Sequence, residues 1–145
     1  MEIGLMVEGQ NGLTWERWSH ILALAERLKF PSVFNYALCM SGRYEITEFT
    51  GGFNNQDVYF NNPMAYVPNL GGEVLERVKE NTFLTLVCGQ GKWEEGNHQE
   101  TARLAGLLSQ KGIPHELDLW GADVHHEWSW WMQQAQKHLG SRYGG

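Results

Sequence analysis

Positive charge is scarce in this chain. Eleven lysines and arginines stand against seventeen aspartates and glutamates, the formal net charge is −6, and the basic residues form no run. That balance argues against a nucleic-acid partner and against an anionic membrane surface. Long apolar stretches are also missing: nothing approaches the roughly 20 residues that span a bilayer. The opening Met1-Glu-Ile-Gly-Leu-Met-Val-Glu8 has no positive region and is cut short by Glu8, so no secretory leader is expected and the cytoplasm is the expected compartment. Cysteine is limited to Cys39 and Cys88. Each lies inside an apolar, strand-like run, which predicts two buried thiols rather than a disulfide. Six histidines are present, but no two stand four apart on one helix face and no His-Glu-x-x-His occurs, so no metal site is expected. What is abundant is tryptophan, seven residues, and glycine, seventeen, which points to a pocket or an interface with aromatic walls.

At 145 residues the chain is read as a single domain, long enough to bury a core. Glu2–Glu8 reads as a short buried strand, closed by the turn Gly9-Gln-Asn-Gly12. Thr14 can cap a helix that carries Trp15, Trp18, Leu22 and Ala25 on one stripe and that Pro31 ends. Val33–Met40 is a second strand. Residues 43–72, rich in Asn, Gly and aromatics, read as a lid or pocket wall rather than core. A short helix over Glu73–Glu80 turns Val74, Leu75 and Val78 inward. Phe83–Cys88 is a third strand, continuously apolar as buried parallel strands are. Asn97 and Glu100 have the spacing of a capping box, opening a helix that runs to Lys111 with Leu104, Leu107 and Leu108 inward and Gly112 as its stop. His115–Trp120 is a fourth strand and Glu127–Leu139 a last helix.

Strands alternating with helices predict an α/β fold, with a small, mainly parallel sheet of about four strands in sequence order and helices on both faces. In such sheets sites lie beyond the carboxyl ends of the strands. Those ends are residues 8–11, 41–43, 89–95 and 121–126, where the polar clusters of the sequence fall.

Four stretches carry a resemblance: Met40-Ser-Gly-Arg-Tyr44, Val58-Tyr-Phe-Asn-Asn-Pro63, Gly112-Ile-Pro-His115 and His126-Glu-Trp-Ser-Trp-Trp131. With them, residues from about 30 to 139 resemble the C-terminal half of an α/β-hydrolase esterase, which implies a truncated α/β-hydrolase-like fold. In that family a strand, a turn bearing the nucleophilic serine and a helix precede the Met-Ser-Gly-Arg-Tyr stretch. No Gly-x-Ser-x-Gly occurs anywhere in this sequence. Residues 1 to about 28, with Ile3-Gly-Leu-Met-Val-Glu-Gly-Gln-Asn-Gly-Leu-Thr-Trp-Glu-Arg-Trp18, instead resemble the first strand and helix of luciferase-like flavin or deazaflavin monooxygenases. The sequence thus reads as a chimera. Only one of that barrel's eight units is present, so no cofactor is expected.

The esterase resemblance implies that His126 is the general base. Its acid partner belongs in the loop after the third strand, where Glu94 is the first choice and Glu95 the second. The nucleophile is the open question: Ser41, at the end of the second strand, is the leading candidate. Cys39 and Cys88 are mid-strand and expected to be inert, Glu8 is not singled out by any pattern, and His125 is assigned no role. The tryptophans Trp128, Trp130 and Trp131 read as packing for the last helix, with Trp128 able to line a pocket. The expected activity is weak hydrolysis of a small-molecule carboxylic ester, because losing one oxyanion-hole donor alone costs roughly 10²–10³ in rate. The alternative is a non-catalytic scaffold. A half-sheet leaves a strand edge and apolar faces to be covered, so a homodimer or higher oligomer is expected.

Overall fold

The computed structural model describes residues 35–144, and the compact unit they form begins at Tyr36. The predicted first strand, Glu2–Glu8, the turn and helix that follow it, and the monooxygenase-like stretch 1–28 lie outside the described residues. What is described is an α/β arrangement: a three-stranded parallel sheet, ordered β1-β2-β3, of β1 (Tyr36–Met40), β2 (Phe83–Cys88) and β3 (His115–Leu119). Tyr36 stands opposite Phe83 at one end of the first pair, and Cys88 opposite Leu119 at the far end of the second.

The middle strand explains the order. Thr85 through Cys88 are almost wholly buried, as a strand covered on both faces must be. Leu84 and Leu86 point to a core built with Leu104, Ala105 and Leu108 of helix α4 (Asn97–Lys111) and with Ile113 beyond it. Thr85 and Val87 point to the other face, where α5 (Trp128–Tyr143) lies. Tyr36 Oη donates to Thr85 Oγ1 at 3.1 Å on this face, and the Arg142 guanidinium of α5 sits 4.1 Å from the centre of the Tyr36 ring. Helix α4 stops where the sequence predicts: Gly112 takes a left-handed φ of 67°, and Ile113 N–H returns 2.9 Å to Leu108 O.

Three expectations are corrected. Residues 43–72 do more than wall a pocket. They fold into α1 (Gln56–Phe60), α2 (Pro63–Tyr66) and a 3₁₀ turn (Val67–Asn69), and they place Tyr44 and Val67 in the core beside Leu86. The apolar side of α4 needs more cover than a bare sheet offers, and this segment supplies it. Helix α3 (Gly72–Asn81) turns Leu75 and Val78 to the same core but leaves Val74 exposed. Nor do Asn97 and Glu100 form a capping box. Gly96 is the N-cap, and both side chains are spent on tertiary partners described below.

On the α5 face, Asp118 Oδ2 accepts from Lys137 Nζ (2.7 Å), Trp120 Nε1 (2.8 Å) and His138 Nε2 (2.8 Å), fastening α5 to β3. Burial pushes the Asp118 carboxyl up, but these donors and the Lys137 charge outweigh it, so the group titrates below the ordinary carboxylate range. A depressed folded-state pKa contributes stability above the unfolded value and loses it as pH falls through the folded one. The stability advantage of the native protein over Asp118→Asn is therefore expected to be full at neutral pH and to shrink below about pH 4, as measured by urea unfolding across that range. Among the described residues no helix is long and apolar enough to cross a membrane.

Candidate active site

The carboxyl ends of the three strands converge on one carboxylate. β2 ends at Cys88, and the loop after it carries Glu94, whose side chain is 1 % exposed. A buried carboxylate must find donors, and this one has them. Ser41 Oγ, directly after β1, donates to Oε1 at 2.5 Å, and Asn97 Nδ2 from the first turn of α4 donates to Oε2 at 2.9 Å. The Cys88 thiol reaches the same Oε2 at 3.5 Å. His126, from the loop after β3, brings Nδ1 to 3.2 Å from Oε2 with the imidazole a quarter exposed. The approach is out of line for a hydrogen bond, so Nδ1 makes none.

Backbone geometry sharpens the site. Ser41 and Trp93, on either side of the carboxylate's partners, both hold left-handed φ values, 50° and 69°. A non-glycine residue pays roughly 1–2 kcal/mol for that conformation. Trp93 is largely exposed, so its ring recovers little by packing; what the turn achieves is to direct Glu94 inward.

The two loops are laced together. Gly91 N–H donates to Val124 O (2.8 Å), His126 N–H to Lys92 O (3.1 Å), Gln90 N–H to Gly121 O (3.2 Å), and Lys92 N–H to His125 Nδ1 (2.9 Å). His125, to which the sequence assigned nothing, thus accepts a backbone hydrogen bond that ties the Glu94 loop to the His126 loop. Behind Glu94, Asn97 Oδ1 accepts from Arg43 Nη1 at 3.2 Å. Arg43 Nη2 also pairs with Glu100 Oε1 at 2.9 Å, while Glu100 Oε2 accepts the backbone N–H groups of Tyr44 and Glu45.

Trp131 is the residue of this cluster that sequence reasoning missed. Its indole Nε1 donates to Ser41 Oγ at 3.0 Å, and its ring stands edge-on to His126 with centroids 4.7 Å apart. The only signal available was its position in the His126–Trp131 stretch. Trp128 meets Trp131 edge-to-face at 5.3 Å and is half exposed. Glu95, the second choice as acid, has no hydrogen-bond partner among the described residues, whereas Glu94 is the group facing His126. Glu8 lies outside the described residues.

Both cysteines are free. Burial, and after it the Glu94 charge, pushes the Cys88 thiol up to about 12; burial also raises Cys39. Neither thiol is expected to react with a disulfide reagent at pH 8 until the protein is unfolded, which a thiol titration with and without denaturant would measure. No three histidine, cysteine or acidic side chains among the described residues are grouped to hold a metal ion.

The small parallel sheet with helices packed on it is consistent with a truncated α/β-hydrolase-like fold. In agreement with it, the fold is similar to that of a ferulic acid esterase of known structure, with a TM-score of 0.58 at 16 % sequence identity over 77 % of this chain. The chain spans 42 % of the length of that esterase. No protein family and no curated protein matches the chain by sequence.

Proposed function

We propose that this protein hydrolyses carboxylic esters, weakly, with His126 as general base and Glu94 as the acid that orients it. The observation that carries the reading is the buried Glu94 carboxylate lying 3.2 Å from His126 Nδ1 where the ends of adjacent parallel strands meet. With Nδ1 turned to the carboxylate, Nε2 is the nitrogen left to take a proton from an attacking oxygen and return it to the leaving alkoxide. The Glu94 charge, 3.2 Å from Nδ1, stabilises the imidazolium formed in between. Activated esters with good leaving groups, such as short-chain p-nitrophenyl esters, suit a site with no Gly-x-Ser-x-Gly turn. Hydrolysis of such an ester by the native protein and by His126→Ala tests the reading.

A second reading, a non-catalytic scaffold, is favoured by one observation. Among the described residues no serine, threonine or cysteine hydrogen-bonds to His126. Identical background rates for the native protein and His126→Ala would establish that reading instead.

A further inference from the structure

Ser41 is the hydroxyl that sequence put forward as the nucleophile, yet its proton points elsewhere. Oγ donates to Glu94 Oε1 at 2.5 Å and accepts from Trp131 Nε1 at 3.0 Å, and the residue is 6 % exposed. A nucleophile must donate to the base, or to water on the way to it; this hydroxyl donates to the acid.

We infer that Ser41 and Trp131 are positioning residues that hold the Glu94 carboxylate against His126. The inference rests on the base-and-acid reading above. A hydroxyl has one proton to give, and its rotor is free unless something fixes it. The indole N–H is a donor only, so by occupying a lone pair of Oγ it leaves the hydroxyl proton directed at Glu94. Asn97 holds Oε2 from the opposite side, at 2.9 Å. The carboxylate is thereby gripped at both oxygens, and its Oε2 is left facing Nδ1 of the imidazole. Trp131 serves both members of the pair: its N–H fixes the hydroxyl, and its ring edge meets the His126 ring. The left-handed φ of Ser41 fits this part, because the turn brings a side chain from the end of β1 towards the loop after β2.

The relation is a chain, from Trp131 to Ser41 to Glu94 to His126, and a chain has a signature that separate contacts lack. Ser41→Ala is expected to lower kcat for p-nitrophenyl acetate about tenfold with KM unchanged, the effect of losing a hydrogen bond to a charged group. Trp131→Phe, which keeps an aromatic ring beside His126, is expected to cost several-fold alone and almost nothing more in the Ser41→Ala background. A second measurement needs no turnover. The Nδ1–H proton of His126, followed by NMR in protein labelled with ¹⁵N-histidine at a pH where the imidazole is protonated, is expected to be sharp in the native protein, because the buried Nδ1 is shielded from solvent exchange beside the Glu94 carboxylate. It should be lost in Glu94→Gln and broadened by exchange in Ser41→Ala. If that resonance is as sharp in Ser41→Ala as in the native protein, the inference is overturned whatever the ester assay gives. It is also overturned if Ser41→Ala is as inactive as His126→Ala and a serine-directed phosphonate labels Ser41 in the native protein, which would make Ser41 the nucleophile. Loss of the effect of His126→Ala alone removes the ester-hydrolase reading and leaves the NMR result to decide the positioning role.

Discussion

Replacing His126 with alanine is expected to lower p-nitrophenyl ester hydrolysis by about 10²–10⁴-fold, the range that a positioned general base contributes. Glu94→Gln is expected to lose most of the same factor while the protein stays folded. The amide keeps the shape of the carboxylate and can still accept from Ser41 or Asn97 through its oxygen. It has no charge with which to stabilise an imidazolium, and its NH₂ offers a donor where Nδ1–H needs an acceptor. Because the two residues act as one unit, the double variant should be scarcely slower than His126→Ala. Rates that multiply in the double variant would count against a coupled pair. Glu94→Ala is a different experiment: it strands the Ser41 and Asn97 donors and costs stability as well as rate.

Alanine at Gly91 is expected to destabilise the protein by about 3 kcal/mol and to abolish activity. An added Cβ there would lie 2.2 Å from His125 Nδ1, 2.7 Å from Val124 O and 2.8 Å from Ala122 O. Two of the three are backbone atoms, which cannot swing aside. Relief requires the acid loop and the base loop to part, and parting them breaks the hydrogen bonds from Gly91 to Val124 and from His126 to Lys92. Gly89 is similarly confined, since an added Cβ there would lie 2.3 Å from Val124 O. Gly106, on the exposed side of α4 with nothing within 4 Å of its Cβ position, is the control. There alanine should raise stability by up to about 1 kcal/mol, since only the helical preference of the backbone changes. Urea midpoints of the variants, read beside their ester rates, check the contrast.

How much of this was legible beforehand follows from the range of each interaction. The apolar run of β2, the helix over Asn97–Lys111 and its stop at Gly112 are local patterns, and local periodicity reads them. That the loops bearing Glu94 and His126 share one end of the sheet was legible from strand order, while the parts proposed for the two residues came from the esterase resemblance. The part played by Ser41 was not, since its hydroxyl could face either loop and only the indole of Trp131, ninety positions away in sequence, orients it. Asn97 and Glu100 misled for the same reason. Their spacing fits a cap, but the side chains serve other partners, Asn97 the buried Glu94 and Glu100 the Arg43 guanidinium, and the helix took Gly96 as its N-cap instead. Tyr44 and Val67 entered the core from a segment whose Asn, Gly and exposed aromatics hide two buried apolar positions among many polar ones.

The acid and base loops are joined chiefly through main-chain atoms. Such a splice is nearly blind to side-chain identity, provided positions 89 and 91 stay glycine. Substitutions at Gln90, Lys92 or Asp123 that keep these main-chain bonds are therefore expected to leave the spacing between carboxylate and ring unchanged.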